Sequence, residues 1–118
     1  MRKLSLLAIL LLTLTTSQGV ADTGSFVGGN DLYEACRSDY SGDFGKCIGY
    51  VQGIADAAAT LANSGDAKCL FAIPRGVTAG QIRDVVVKWL TDHPQDRHYT
   101  ASSLAISAFI DAFPNCGK

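Results

Sequence analysis

Residues 77–94, VTAGQIRDVVVKWLTDHP, carry both the ends and the repeat of an α-helix in a single stretch. Thr78 and Gln81 stand three apart, the spacing at which each side chain satisfies the other's backbone N–H in a capping box. Val77 and Ile82 flank them at the positions of a hydrophobic staple. Ile82, Val85, Val86, Trp89 and Leu90 then recur at helical intervals and define a core face. Gln81, Asp84, Lys88 and Asp92 fall on the opposite side, with Asp84 four before Lys88, the favourable order for an ion pair. His93-Pro94 stops the helix, because proline cannot donate to the turn before it.

Similar spacing extends outward in both directions. Phe44, Cys47, Ile48, Val51, Ile54, Ala55, Ala58 and Leu61 predict a long helix over about 44–62, opened by a Ser41-Gly42-Asp43 turn and closed by Asn63 to Asp66. Gly49, Gly53 and Ala57 lie four apart beside that stripe. Glycine costs a helix about 1 kcal/mol relative to alanine, so a neighbouring backbone is expected there, from the same chain rather than from a second copy. Before it, Asn30 is placed to cap a short helix to Arg37, with Asp31 and Glu34 near its positive end. Residues 22–29 read as a flexible arm. Past the 92–99 loop, Thr100 caps a fourth helix to Phe113. Its Thr100, Ser103, Ser107 and Asp111 form one narrow polar stripe on an apolar cylinder that must be mostly enclosed, either by its own chain or by a partner subunit of a homodimer. No segment alternates like a strand. The expected fold is all-α, a small disulfide-stabilised bundle of about four helices.

Residues 1–21 have the three parts of a secretory signal: Arg2 and Lys3, an apolar run from Leu4 to Leu14, and Gly19-Val20-Ala21 as a small-residue cleavage site. The apolar run is short for a bilayer span. Cleavage after Ala21 leaves residues 22–118 as a single domain outside the cytoplasm, in the periplasm or secreted, without a stable membrane anchor. It removes two of ten basic residues and none of eleven acidic ones, giving a net charge of −3. That charge argues against nucleic acid as a partner, which wants a basic face. In an oxidising compartment Cys36, Cys47, Cys69 and Cys116 read as two disulfides. Four cysteines allow three connectivities. Cys36 and Cys47 both flank the turn between the first two helices, and residues 67–76 are long enough to bring Cys69 there too. Pairing Cys47 with Cys69 and Cys36 with Cys116 would tie the irregular stretch and both chain ends to the bundle, and is the arrangement expected.

Several pieces, taken in order, resemble the Rap/Tai immunity proteins of type VI secretion systems. They are Gly29-Asn30-Asp31-Leu32-Tyr33 with Cys36, and Cys47-Ile48-Gly49-Tyr50-Val51-Gln52-Gly53. Cys69 and Pro74 follow, ahead of Gly76-Val77-Thr78, then Gln81 with the Val85 to Leu90 run. His93-Pro94 with Arg97-His98, and Phe113-Pro114 with Cys116, complete the match. Two departures stand out: Asn115 separates Pro114 from Cys116, and Cys69 sits five residues before Pro74. The resemblance implies a periplasmic helical protein, commonly a homodimer, that neutralises a secreted toxin such as a cell-wall (peptidoglycan) amidase. It implies an inhibitor without chemistry of its own and without a cofactor. The competing reading is a small acid-stress chaperone of the periplasm, or another helical binding protein with no toxin partner.

Catalytic and metal sites find little support. His93 and His98 share one loop, without a cysteine or a third histidine at ligand spacing, and no serine carries a nucleophile motif. For binding, the 92–99 loop is the richest segment. Asp92, His93, Asp96, Arg97, His98 and Tyr99 are gathered between two helix ends, and arginine and tyrosine are enriched where interfaces concentrate their energy. These six are the candidate contact residues, with Gln81, Arg83 and Lys88 as lesser ones.

Overall fold

In the computed structural model, which describes residues 24–116, four α-helices form the fold: α1 (Gly29–Arg37), α2 (Ser41–Ser64), α3 (Ala79–Asp92) and α4 (Ala101–Ala112). A single 3-10 turn, Pro94–Asp96, lies between α3 and α4. There is no strand among the described residues, and the all-α expectation holds. The signal segment Met1–Ala21 lies outside the described residues.

The α3 signature is realised as read. Thr78 accepts from the Gln81 N–H while Gln81 Oε1 accepts from the Thr78 N–H at 2.7 Å. Its ion pair differs: Lys88 reaches forward to Asp92 at 2.7 Å, and Asp84 is held by its neighbour Arg83. Thr100 caps α4 as expected. At α1 the start moves. Gly28, not Asn30, precedes the first turn, because the Asp31 carboxylate reaches back to accept the Gly28 N–H at 3.2 Å. The end of the expected arm is also pinned, since Val27 accepts from the Ala101 N–H at 3.0 Å.

Ser41-Gly42-Asp43 is not a turn but the opening of α2. Ser38 Oγ donates to Asp43 Oδ2 at 2.9 Å and accepts from the Tyr40 N–H at 3.1 Å. A polar clasp therefore turns the chain at Ser38–Tyr40, and the helix begins at once. Gly65, in the left-handed conformation at φ 80°, ends it.

Leu32 and Cys36 of α1, Val51 and Cys47 of α2, Ile82, Val86 and Leu90 of α3, and Leu104, Ala105, Ala108 and Phe109 of α4 form the core. Phe71 joins from the irregular 66–78 segment. Only Cys47 and Val51 of α2 are fully buried; Ile54, Ala55 and Ala58 are half-buried, while Phe44 and Leu61 are exposed. Gly49 and Gly53 are exposed too, and a Cβ added at either would meet nothing within 4 Å. The expectation that the protein's own backbone packs there is thus wrong. Those residues lie on the back of α2, away from the core.

The cysteines form two disulfides, but not the expected pairs: Cys36 bonds Cys47, and Cys69 bonds Cys116. The three-residue connection folds α2 back on α1 and brings Cys36 and Cys47 to a Cα separation of 5.0 Å. The irregular segment runs to the end of α4 instead, where the Ala72 N–H donates to Phe113 O at 3.1 Å. Cys69 is thereby delivered to the C-terminal tail.

Candidate partner-binding site

The 92–99 segment is bonded to the helices through Asp92, His93, Arg97 and Tyr99, and to itself between them. The Asp96 N–H donates to His93 O and the Tyr99 N–H to Asp96 O, closing successive turns. At its far end the Gly29 N–H donates to Tyr99 O at 2.9 Å, and Gly28 and Thr100 form an isolated antiparallel bridge. The start of α1 and the start of α4 thus clamp the loop between them. Such a loop loses little further freedom on binding, which is where preorganised sites gain affinity.

The six candidate residues divide by direction. His93 turns inward: its ring stacks on Trp89 at 3.9 Å between centroids, and Nδ1 lies 2.8 Å from Trp89 O, so that nitrogen carries the proton and donates. Arg97 also turns inward. Its Nε donates to Leu90 O at 2.7 Å, and its guanidinium lies 3.7 Å from the centre of the Tyr33 ring. Asp96 is half-buried, with Gln95 Nε2 at 3.5 Å. Asp92 faces solvent in its pair with Lys88, whose hydrogen bond holds the carboxyl below its ordinary range. His98 and Tyr99 face outward together, with rings 4.1 Å apart and Tyr99 55% exposed. His98 Nδ1 is anchored by Gln95 O at 2.9 Å. The outer surface of the loop is an aromatic pair beside a carboxylate; the inner surface is scaffold.

Sequence reasoning missed the residues that do the holding. Trp89 reads as core, yet it is half-buried, with its indole N–H donating to Asp111 Oδ2 at 2.8 Å and its face against His93. Tyr33, its hydroxyl 3.4 Å from that of Thr91, supplies the ring that Arg97 packs on. Gly29 is required for another reason. A Cβ there would overlap Leu104 Cδ1 and lie 2.6 Å from Arg97 O, so the loop backbone approaches this helix where only glycine allows it. Gly29→Ala is expected to destabilise the fold by about 1–3 kcal/mol, the usual cost of overpacking. Urea unfolding checks it; a loss below about 0.5 kcal/mol would mean that the loop can yield.

A groove of about 420 Å³ lies between the outer half of α2 and the irregular segment. Ala55, Ala59, Phe71, Ile73, Val77 and Ile82 line it, with Asp56 as its one ionisable side chain. Among the described residues no three His, Cys, Asp or Glu side chains gather as a metal site.

No curated protein and no solved structure matches this chain at a significant level. The model of the Rap1a immunity proteins does match, over residues 28–116. That span runs from the glycine before α1 to the last cysteine, taking in all four helices, both disulfides and the clamped loop. By that match the chain belongs to the Rap1a immunity protein family.

Proposed function

We propose that this protein works in the periplasm as the immunity partner of one secreted toxin, a peptidoglycan amidase delivered by type VI secretion. It binds the toxin stoichiometrically and contributes no catalytic group. The 92–99 loop enters the contact with His98 and Tyr99 and keeps substrate from the toxin's cleft. The observation that carries this reading is the division of the loop into a locked inner face and a free aromatic outer face. Family membership supports a toxin as the partner. The signal-like residues 1–21 support export, and no helix among the described residues is long and apolar enough to cross a membrane.

Replacing His98 and Tyr99 together with alanine is expected to weaken toxin binding by about 2 kcal/mol or more, the scale of an interface hot spot. Unfolding should shift by no more than about 0.5 kcal/mol, since neither ring packs into the core. Calorimetric titration against toxin captured from competitor secretions measures the first, and circular dichroism the second. Full affinity in the folded variant would move recognition to another surface, while failure to capture any toxin would favour the chaperone reading.

The homodimer belongs to the same proposal. The back of α2 presents Gly49 and Gly53 with open space beside them and Ala57 exposed, close to exposed Leu61, a surface that admits a second helix at short distance. Closed two-fold pairs are the commonest oligomers. Light scattering at micromolar concentration should give twice the chain mass, and Gly53→Glu should return it to one without unfolding the chain. A single-chain mass for the unaltered protein would rule the pairing out.

A further inference from the structure

Two arginines from different elements meet at one aromatic ring. Arg37, in the last turn of α1, holds its guanidinium carbon 4.8 Å from the Tyr33 ring centre. Arg97, from the clamped loop, holds its own at 3.7 Å from the same point. The two charges are therefore no farther apart than those distances combined, and both act at the Tyr33 hydroxyl. Neither has a carboxylate partner: the ion pairs among the described residues are Arg83 with Asp84 and Lys88 with Asp92. The Thr91 hydroxyl, 3.4 Å from the Tyr33 hydroxyl, completes the group. The hydrogen bond with Thr91, and to a lesser degree the charges of Arg37 and Arg97, draw the Tyr33 hydroxyl below its ordinary range. This positive spot stands out on a chain whose acids outnumber its bases.

We propose that Arg37, Arg97 and Tyr33 form an anion site that receives a carboxylate side chain of the bound protein partner, beside the His98–Tyr99 contact. The inference rests on the proposed role of the loop. Chemistry favours a side chain over a free anion. Arg37 is exposed, so the site is open on that side and encloses no guest. A free anion would give up its own translational freedom for a few hydrogen bonds, whereas a carboxylate delivered by a docked protein adds little to that cost. Arginine offers a planar fork matched to a carboxylate, and Arg97, with Nε spent on Leu90 O, still has both terminal nitrogens to offer.

Two measurements test it. Against the captured toxin, Arg37→Gln should weaken binding about tenfold or more, as for a hydrogen bond to a charged group. Arg37→Glu should weaken it further, and both variants should keep the parent's melting curve. In the chain alone, acetate and inorganic phosphate should move the Nε–Hε resonances of Arg37 and Arg97 together, ahead of that of exposed Arg75. Shifts no larger than at Arg75 would overturn the site whether or not a toxin binds. If His98→Ala/Tyr99→Ala loses affinity while Arg37→Gln keeps it, the loop reading stands and the carboxylate site is overturned. Phosphate saturation with unchanged toxin affinity in Arg37→Gln overturns it equally, because the site would then serve a free anion.

Discussion

Phe109→Ala is expected to remove about 3–5 kcal/mol of folding stability, the range for truncating a fully enclosed phenylalanine. A domain of this size has about 5–10 kcal/mol in total, so the variant should be barely folded at room temperature. Phe109 is 0% exposed and sits on α4 where the irregular segment closes over the bundle. Its ring lies 5.2 Å from that of Phe71 and 6.5 Å from that of Phe113, so one side chain joins α4, the segment and the C-terminal tail. The resulting cavity cannot easily collapse, because the Ala72–Phe113 backbone bond and the Cys69–Cys116 bridge fix the segment and the tail in place. Urea unfolding should show a lower midpoint at unchanged slope, the signature of lost stability without a changed denatured state. Phe109→Leu, which keeps most of the volume, should cost less than about 1.5 kcal/mol. A loss below 1 kcal/mol for the alanine variant would show that this junction is not the keystone of the core.

The irregular segment is also where the sequence says least. Helices α3 and α4 could be read almost to the residue, because caps and apolar repeats are local and the structure realises them locally. The opening of α2 was hidden. Ser-Gly-Asp is turn chemistry by composition, and only the Ser38–Asp43 clasp, made between side chains five apart, converts it into a helix start. The disulfide pattern was hidden for a different reason. It depends on where residues 66–78 travel, and that path is fixed by Phe71 reaching Phe109 and by one backbone bond to Phe113, neither of which has a periodic trace. The glycines of α2 were rightly taken as unusual, but composition could not say which side of the helix would be left open.

The loop shows the same limit. The 92–99 segment reads in sequence as chemically rich, yet sequence could not separate its outward side chains from those that turn into the bundle. Arg97 resembles a hot-spot residue in composition, but its Nε bond to Leu90 O and its place on Tyr33 give it a holding role first. Direction of a loop side chain is set by tertiary partners, here α1 and α3, that lie far away in sequence. Gly29 is the signal that could have pointed to this geometry, but in sequence it reads as the end of a flexible arm, and only the structure shows what passes so close to it.

Removing the outer bridge with Cys69→Ala and Cys116→Ala together is expected to cost about 4 kcal/mol, from the chain entropy of a loop closed across 47 residues. The same relation gives about 3 kcal/mol for Cys36→Ala with Cys47→Ala, whose residues are 11 apart. Packing opposes that order. Cys36 and Cys47 are 3% and 0% exposed, so their sulfurs also fill the core, whereas Cys69 and Cys116 are only half-buried. The outer pair therefore isolates the effect of tethering. Without it, the irregular segment is held by the Phe71–Phe109 ring contact, by Ile73 and Val77 against the core, and by the backbone bond from Ala72. Hydrogen exchange should then quicken in residues 67–77 and at the end of α4 while the α1–α2 pair stays protected. Urea unfolding of both double variants decides between the two forces. A larger loss for the outer pair means that the bridge acts by restricting the unfolded chain. A larger loss for the inner pair means that buried sulfur packing outweighs loop length, and that the irregular segment is held by its aromatic contacts rather than by its tether.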